Sequence, residues 1–85
     1  MFNKLRQLMQ LKELRDSVSL VKEEVERKGI KVIVNGKMEI GEIQLNSDLS
    51  KEEQEKVSKE CINEALKKAQ MTVAKKLSQM PGFGS

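Results

Sequence analysis

The stretch ERKGIKVIVNGKMEIGEIQLN, residues 26–46, lies between two long charged segments, and within it the repeat of the chain changes from that of a helix to that of a strand. Ile30, Val32 and Val34 alternate with Lys31, Ile33 and Asn35, the two-residue period of an extended chain with its β-branched residues on one face. Asn35-Gly36 then predicts a type I′ hairpin turn, because both central residues of such a turn need positive φ. The returning strand puts Gly41, Ile43 and Leu45 on one face and Ile40, Glu42 and Gln44 on the other. Ile33 and Ile40 are apolar on the face that should be polar, so they are either edge hydrophobes or covered by something. Lys28-Gly29 offers a second turn, which would pair a short first strand at residues 24–27 with the central one. Alternatively, the preceding helix runs on to Lys28 and ends at Gly29.

Upstream, Leu5, Leu8, Leu11, Leu14, Val18, Val21 and Val25 recur three or four apart, which predicts a helix from residue 2 to about residue 25. Phe2, Met9 and Leu20 fall on a second side of it, so its apolar surface is wider than one neighbour covers. Either these are a few exposed hydrophobes or a partner subunit packs there. Downstream, Ser50 and Glu53 fit a capping box, and Glu52 and Glu53 suit the positive end of a helix. This second helix has an expected core stripe of Ile62, Leu66, Ala69, Val73, Leu77 and Met80, flanked by Val57, Cys61 and Ala65, and it stops before Pro81-Gly82. The expected fold is therefore α+β: a long helix, a small antiparallel sheet of two to three strands, and a second long helix. Residues 1–80 form one domain, followed by a flexible C-terminal tail at 81–85.

A chain of 85 residues buries only a modest core, and here the only aromatic residues are Phe2 and Phe83, near the ends. An aliphatic core of this size is commonly completed by a second copy, which predicts a homodimer with Phe2, Leu5, Met9, Ile33 and Ile40 as candidate interface residues. Catalytic readings fare badly. There is no His, Tyr or Trp, and the lone Cys61 has no imidazole to draw off its proton, so it reads as a structural thiol. No zinc or calcium ligand pattern and no phosphate loop can be assembled, so neither metal nor cofactor is expected. A single cysteine, no leader-like segment and no run of about 18 apolar residues point to a soluble, cytoplasmic protein.

The net charge of +3 is mild, but its distribution is uneven. Residues 1–12 carry Lys4, Arg6 and Lys12 with no acid, and residues 65–85 carry Lys67, Lys68, Lys75 and Lys76 with no acid, which gives +7 at the ends and −4 between them. Helix one runs into the sheet and helix two runs out of it. Antiparallel packing then gathers all seven cations far from the hairpin, where they suit phosphate contacts made without base readout. The alternative is that the charged ends are simply solvated. The scarcity of aromatic residues argues against a base-stacking platform for single strands.

The segments KVIVNGKMEIGEIQLNSDLS and CINEALKKAQMTVAKKLSQM, with the closing PGF, resemble the YbaB/EbfC family of small bacterial nucleoid-associated DNA-binding proteins. The likeness covers nearly the whole chain and rests on the order and spacing of strand, Asn-Gly, second strand, and a helix with basic residues toward its end. The chain departs from the family pattern in its short ERKG link, in having Asn46-Ser47-Asp48 in place of Asp-Pro, and in a first helix that is Met/Gln-rich only at QLMQLK. The resemblance implies a homodimer with the sheets at its centre and the helices projecting like tweezers. It also implies largely sequence-nonspecific binding of double-stranded DNA, a nucleoid-associated location, and a role in nucleoid organisation or gene regulation. The rival reading is a dimeric protein-interaction module in which the lysines only keep the chain in solution.

Overall fold

The structure, a computed structural model, describes residues 2–79, and within the first helix it describes the side chains of Met9 and of residues 12–19. The chain runs α1 (Phe2–Ser19), β1 (Lys22–Arg27), β2 (Ile30–Asn35), β3 (Ile40–Gln44) and α2 (Lys51–Gln79). The fold is α+β, with a three-stranded antiparallel sheet in the order β1-β2-β3. The expected tail at 81–85, and Met80 of the expected stripe, lie outside the described residues.

The first helix stops at Ser19 rather than near residue 25. Val21 and Val25 satisfy a helical spacing of four, but that spacing is also even and so places both on one face of a strand, with Lys22, Glu24 and Glu26 on the other. Pairing decides between the two: β1 runs in unbroken register with β2, from Lys22 opposite Asn35 to Arg27 opposite Ile30. A first strand therefore exists, two residues longer at its start than the sequence suggests.

The two turns exchange the roles expected of them. Lys28 and Gly29 have φ of 50° and 80° and close the β1–β2 hairpin, so the tight two-residue turn with positive φ at both centres is here and not at Asn35-Gly36. Asn46 locks this turn by donating from Nδ2 to the Lys28 carbonyl at 2.8 Å, while its Oδ1 accepts from the Asp48 N–H at 3.1 Å. In the β2–β3 loop the left-handed residue is Met38, with φ of 63°. The Met38 N–H donates to the Asn35 carbonyl at 3.1 Å, and the Asn35 side-chain oxygen accepts from the N–H groups of Lys37 and Glu39 at 2.9 and 3.1 Å. This is a wider turn organised by an Asn side chain.

Gly41 is the extra residue of a β-bulge, since Ile33 pairs with Glu42 but Val34 pairs with Ile40. The bulge overturns the expectation that Ile33 and Ile40 share a face. Ile40 shares the α2-facing side with Val34, and Ile33 lies on the outer side between Glu24 and Glu42.

α2 crosses β1 and β2 and buries Val25, Ile30, Val32 and Val34 against Val57, Cys61, Ala65 and Ala69. The expected stripe and its flank are thus partly exchanged: Cys61 and Ala65 sit at the centre, and Ile62 and Leu66 pack at the side. The physical reason is that the sheet supplies the bulk. Small residues on the helix let its backbone approach the β-branched row closely, and larger ones there would hold it off. The α2 start is as expected, with Ser50 Oγ accepting from the Glu53 N–H at 3.1 Å. The Glu53 carboxylate turns instead to Lys28 Nζ at 3.5 Å.

Candidate nucleic-acid interface

α2 has 29 residues and is therefore about 43 Å long, whereas a six-residue strand covers only about 20 Å. Ala69 is its last buried residue and Thr72 Oγ1 still donates to the Glu23 carboxylate of β1 at 2.6 Å, so only the part of the helix beyond Thr72 runs past the sheet, in a molecule measuring 60 × 20 × 13 Å. No Gly or Pro interrupts it before Gln79, and half-buried Val73 and Leu77 continue its apolar side.

Along α2 after Glu64, Lys67, Lys68 and Lys75 are exposed and Lys76 is half-buried. At 100° per residue Lys68 and Lys75 share one side of the helix, and Lys67 and Lys76 stand about 100° to either side of that pair. The four cations wrap about half of the helix rather than forming one line. On α1, Lys12 is exposed, and so is Arg15, which the sequence reading passed over because Glu13 and Asp16 beside it cancel its charge. Lys4 and Arg6 belong to α1, but their side chains lie outside those described, as do Phe2 and Leu5 of the expected dimer interface.

Three cations of the sheet region are differently placed. Arg27 reaches Glu64 at 2.8 Å and Glu60 at 3.6 Å, Lys28 reaches Glu53, and Lys31 lies 3.8 Å from Glu24 and 3.7 Å from Glu42. Among the described residues none of these ion pairs involves Lys67, Lys68, Lys75 or Lys76. Five acids near the sheet are engaged in these pairs, and no acid follows Glu64 along α2 to offset the positive field of its lysines.

The remaining features do not make a reaction centre. An open cavity of about 440 Å³ lies between the β1–β2 turn and the first turns of α2, lined by Arg27, Lys28, Glu53, Lys56, Val57 and Glu60. Four of those side chains already pair with one another. Cys61 is fully buried with Sγ 3.9 Å from the Ile30 carbonyl, and its burial pushes the thiol pKa up against the opposite pull of Arg27. Among the described residues no cluster of His, Cys, Asp or Glu could hold a metal, and no helix is long and apolar enough to cross a membrane.

The dimer candidates separate. Met9 and Ile40 are exposed, and Ile33 is half-buried on the outer face of the sheet. The sequence reading missed Ile43 and Leu45, 43% and 57% exposed. Ile43 pairs with Val32 and so points to the α2 side, but α2 lies over β1 and β2 and leaves β3 uncovered. Ile40, Ile43 and Leu45 thus form an apolar row along an open strand edge. Gly41 was the available signal, since a lone glycine in a strand marks a bulge. In comparisons with family models, curated proteins and solved structures, no significant match to the chain was found.

Proposed function

We propose that the chain is a homodimer that binds double-stranded DNA with little sequence preference, as a nucleoid-associated protein of the YbaB/EbfC kind acting in nucleoid organisation or transcription. The carrying observation is the acid-free stretch of α2 after Glu64, where Lys67, Lys68, Lys75 and Lys76 are gathered and enter none of the ion pairs among the described residues, while Arg27, Lys28 and Lys31 beside the sheet are paired with acids. Lysines on an exposed helix contact phosphates as point charges and carry no base code, which fits affinity without specificity. The second copy would join along β3, where an open edge and the row Ile40, Ile43 and Leu45 meet their like across a two-fold axis.

The test is a mobility-shift titration of random duplex at several salt concentrations. Each phosphate engaged adds roughly 0.9 to the slope of log affinity against log salt. Replacing Lys67, Lys68 and Lys75 by Gln should lower affinity about tenfold or more and flatten that slope by about 0.9 for each phosphate no longer engaged. Lys31→Gln, between Glu24 and Glu42, should bind like the unsubstituted chain. Salt-insensitive binding, or loss of binding only in the Lys31 variant, would sink the reading. For the dimer, sedimentation should give two copies for the native chain and one for Ile43→Glu. A native monomer at micromolar concentration would remove the proposed interface.

A further inference from the structure

α1 is joined to β1 by only Leu20 and Val21, and it touches α2 sparsely. Its end is closed by short backbone bonds, Leu20 N–H to Ser17 O at 3.3 Å and Val21 N–H to Val18 O at 3.1 Å. Leu20 is 79% exposed, whereas Val21 is buried and anchors the link. The Val18 carbonyl then lies directly on Gly36 of the β2–β3 loop. A Cβ on Gly36 would sit 2.1 Å from the Val18 oxygen, 2.9 Å from its Cγ1 and 3.0 Å from its carbonyl carbon. Gly36 is buried, and its φ is not in the left-handed region, so the turn itself does not need glycine there. The absent side chain makes room for the last turn of α1.

We infer that Gly36 is the seat of α1, a positioning residue that fixes the angle at which this helix leaves the sheet and hence where its basic residues lie relative to those of α2. The bearing on DNA rests on the function proposed above; the seat itself does not. Any side chain at residue 36 must push Val18 away by about 1 Å to reach ordinary contact. Val18 lies about 5 Å from the pivot at Val21, so the helix turns by roughly 10°. Its far end, about 27 Å away, then moves about 5 Å. That exceeds the roughly 3.4 Å of duplex axis per phosphate of one strand, so contacts on the two helices would fall out of step.

The experiment measures the angle directly in the free protein. Spin labels are placed at exposed Met9 and Gln70 by substitution with Cys, the native Cys61 being fully buried, and labelled chain is diluted into excess unlabelled chain. Pulsed electron resonance then reads the distance within one chain. A seated helix gives a narrow distribution. Gly36→Ala should shift its mean by about 3–4 Å, scaled to residue 9 from the same rotation. Gly41→Ala is the control, since its added Cβ would meet only the Ile33 oxygen at an ordinary 3.8 Å, and it should leave the distance unchanged. An unchanged distance in folded Gly36→Ala overturns the seat. Should that variant not fold, a broad distribution in the otherwise native chain overturns it and a narrow one supports it. A shifted distance together with several-fold weaker duplex binding supports both the seat and the DNA reading. A shifted distance with duplex binding unchanged supports the seat and counts against the DNA reading.

Discussion

Up to Ala69, α2 is half of a close-packed core: Val57, Cys61, Ala65 and Ala69 face the sheet, and Glu53, Glu60 and Glu64 pair with Lys28 and Arg27. Beyond Ala69 the same helix has no fully buried residue and carries Lys75 and Lys76, which none of the described acids pairs. One continuous helix thus holds two kinds of surface. Stability is concentrated in the first half, where apolar area leaves water. The end of the helix keeps positive charge available because no described acid pairs with Lys75 or Lys76, even though Thr72, Val73 and Leu77 stay half-buried. Substitutions of the sheet-facing side chains should therefore move stability and leave salt-dependent binding alone, and substitutions of the exposed lysines, Lys67 and Lys68 alongside the core included, should do the reverse.

The largest expected effect is on the core side. Ile30 is fully buried under α2, and Ile30→Ala should cost about 2–5 kcal/mol in a denaturant titration. The protein that remains folded should keep its salt slope, and a changed slope would break the division. Gly29→Ala comes next. It forces a side chain into φ of 80° with its Cβ 2.7 Å from Asn46 Nδ2, which displaces the clamp on the Lys28 carbonyl. A loss of about 1–2 kcal/mol is expected from the backbone alone, and an unaltered melting temperature would show that the turn tolerates other geometry.

A smaller effect is expected at Cys61. Cys61→Ala should cost about 1 kcal/mol near neutral pH and leave duplex binding unchanged. Burial raises the thiol pKa, so the folded chain holds this proton more tightly than the unfolded chain. Its contribution is fully present below the unfolded thiol pKa of about 8.5 and is lost as pH rises through the higher folded value. Native stability should therefore fall more steeply than that of Cys61→Ala over this alkaline range. Parallel curves would mean that the thiol is less enclosed than its position implies. The smallest effect on stability belongs to the exposed lysines of α2: Lys67, Lys68 and Lys75 changed together to Gln should alter it by less than about 0.5 kcal/mol, since Gln and Lys are nearly equal helix formers. A large drop in stability would mean that these lysines are structural.

The elements themselves were legible in the sequence, but several of their edges were not. Ser50 and Glu53 mark the start of α2 because capping is local chemistry, and the alternation Ile30, Val32, Val34 marks β2 for the same reason. The end of α1 was hidden because Val18, Val21 and Val25 fit two periods at once, and only pairing with β2 separates them. At Asn35-Gly36 a strong local preference was overridden by tertiary contact: the glycine serves a close approach from Val18, and Lys28-Gly29 makes the left-handed turn. The core stripe was displaced because Ile62 and Leu66 outweigh Cys61 and Ala65 on any hydrophobic scale, although volume opposite the sheet decides the face. Of the candidate site, the acid-free basic run was visible in residue order alone. The uncovered side of β3 depends on how far α2 reaches across the sheet, which no local pattern encodes.

The two borders of the sheet are unlike. β1 carries Lys22, Glu23, Glu24, Glu26 and Arg27 with Val25 as its one apolar residue, whereas β3 has Ile40 and Ile43 with Leu45 just past its end. A strand approaching β1 would have to align with a dense row of charges and desolvate them, while one approaching β3 meets aliphatic side chains and free backbone groups. A sheet with one forbidding border and one receptive border can grow on one side only. In a pair of copies matched along β3, as proposed above, both outward borders would be charged, and stacking into longer ribbons would have nowhere to continue. Neutralising Glu23, Glu24 and Glu26 should weaken that stop, and sedimentation of the triple Gln variant should then show species larger than those of the native chain.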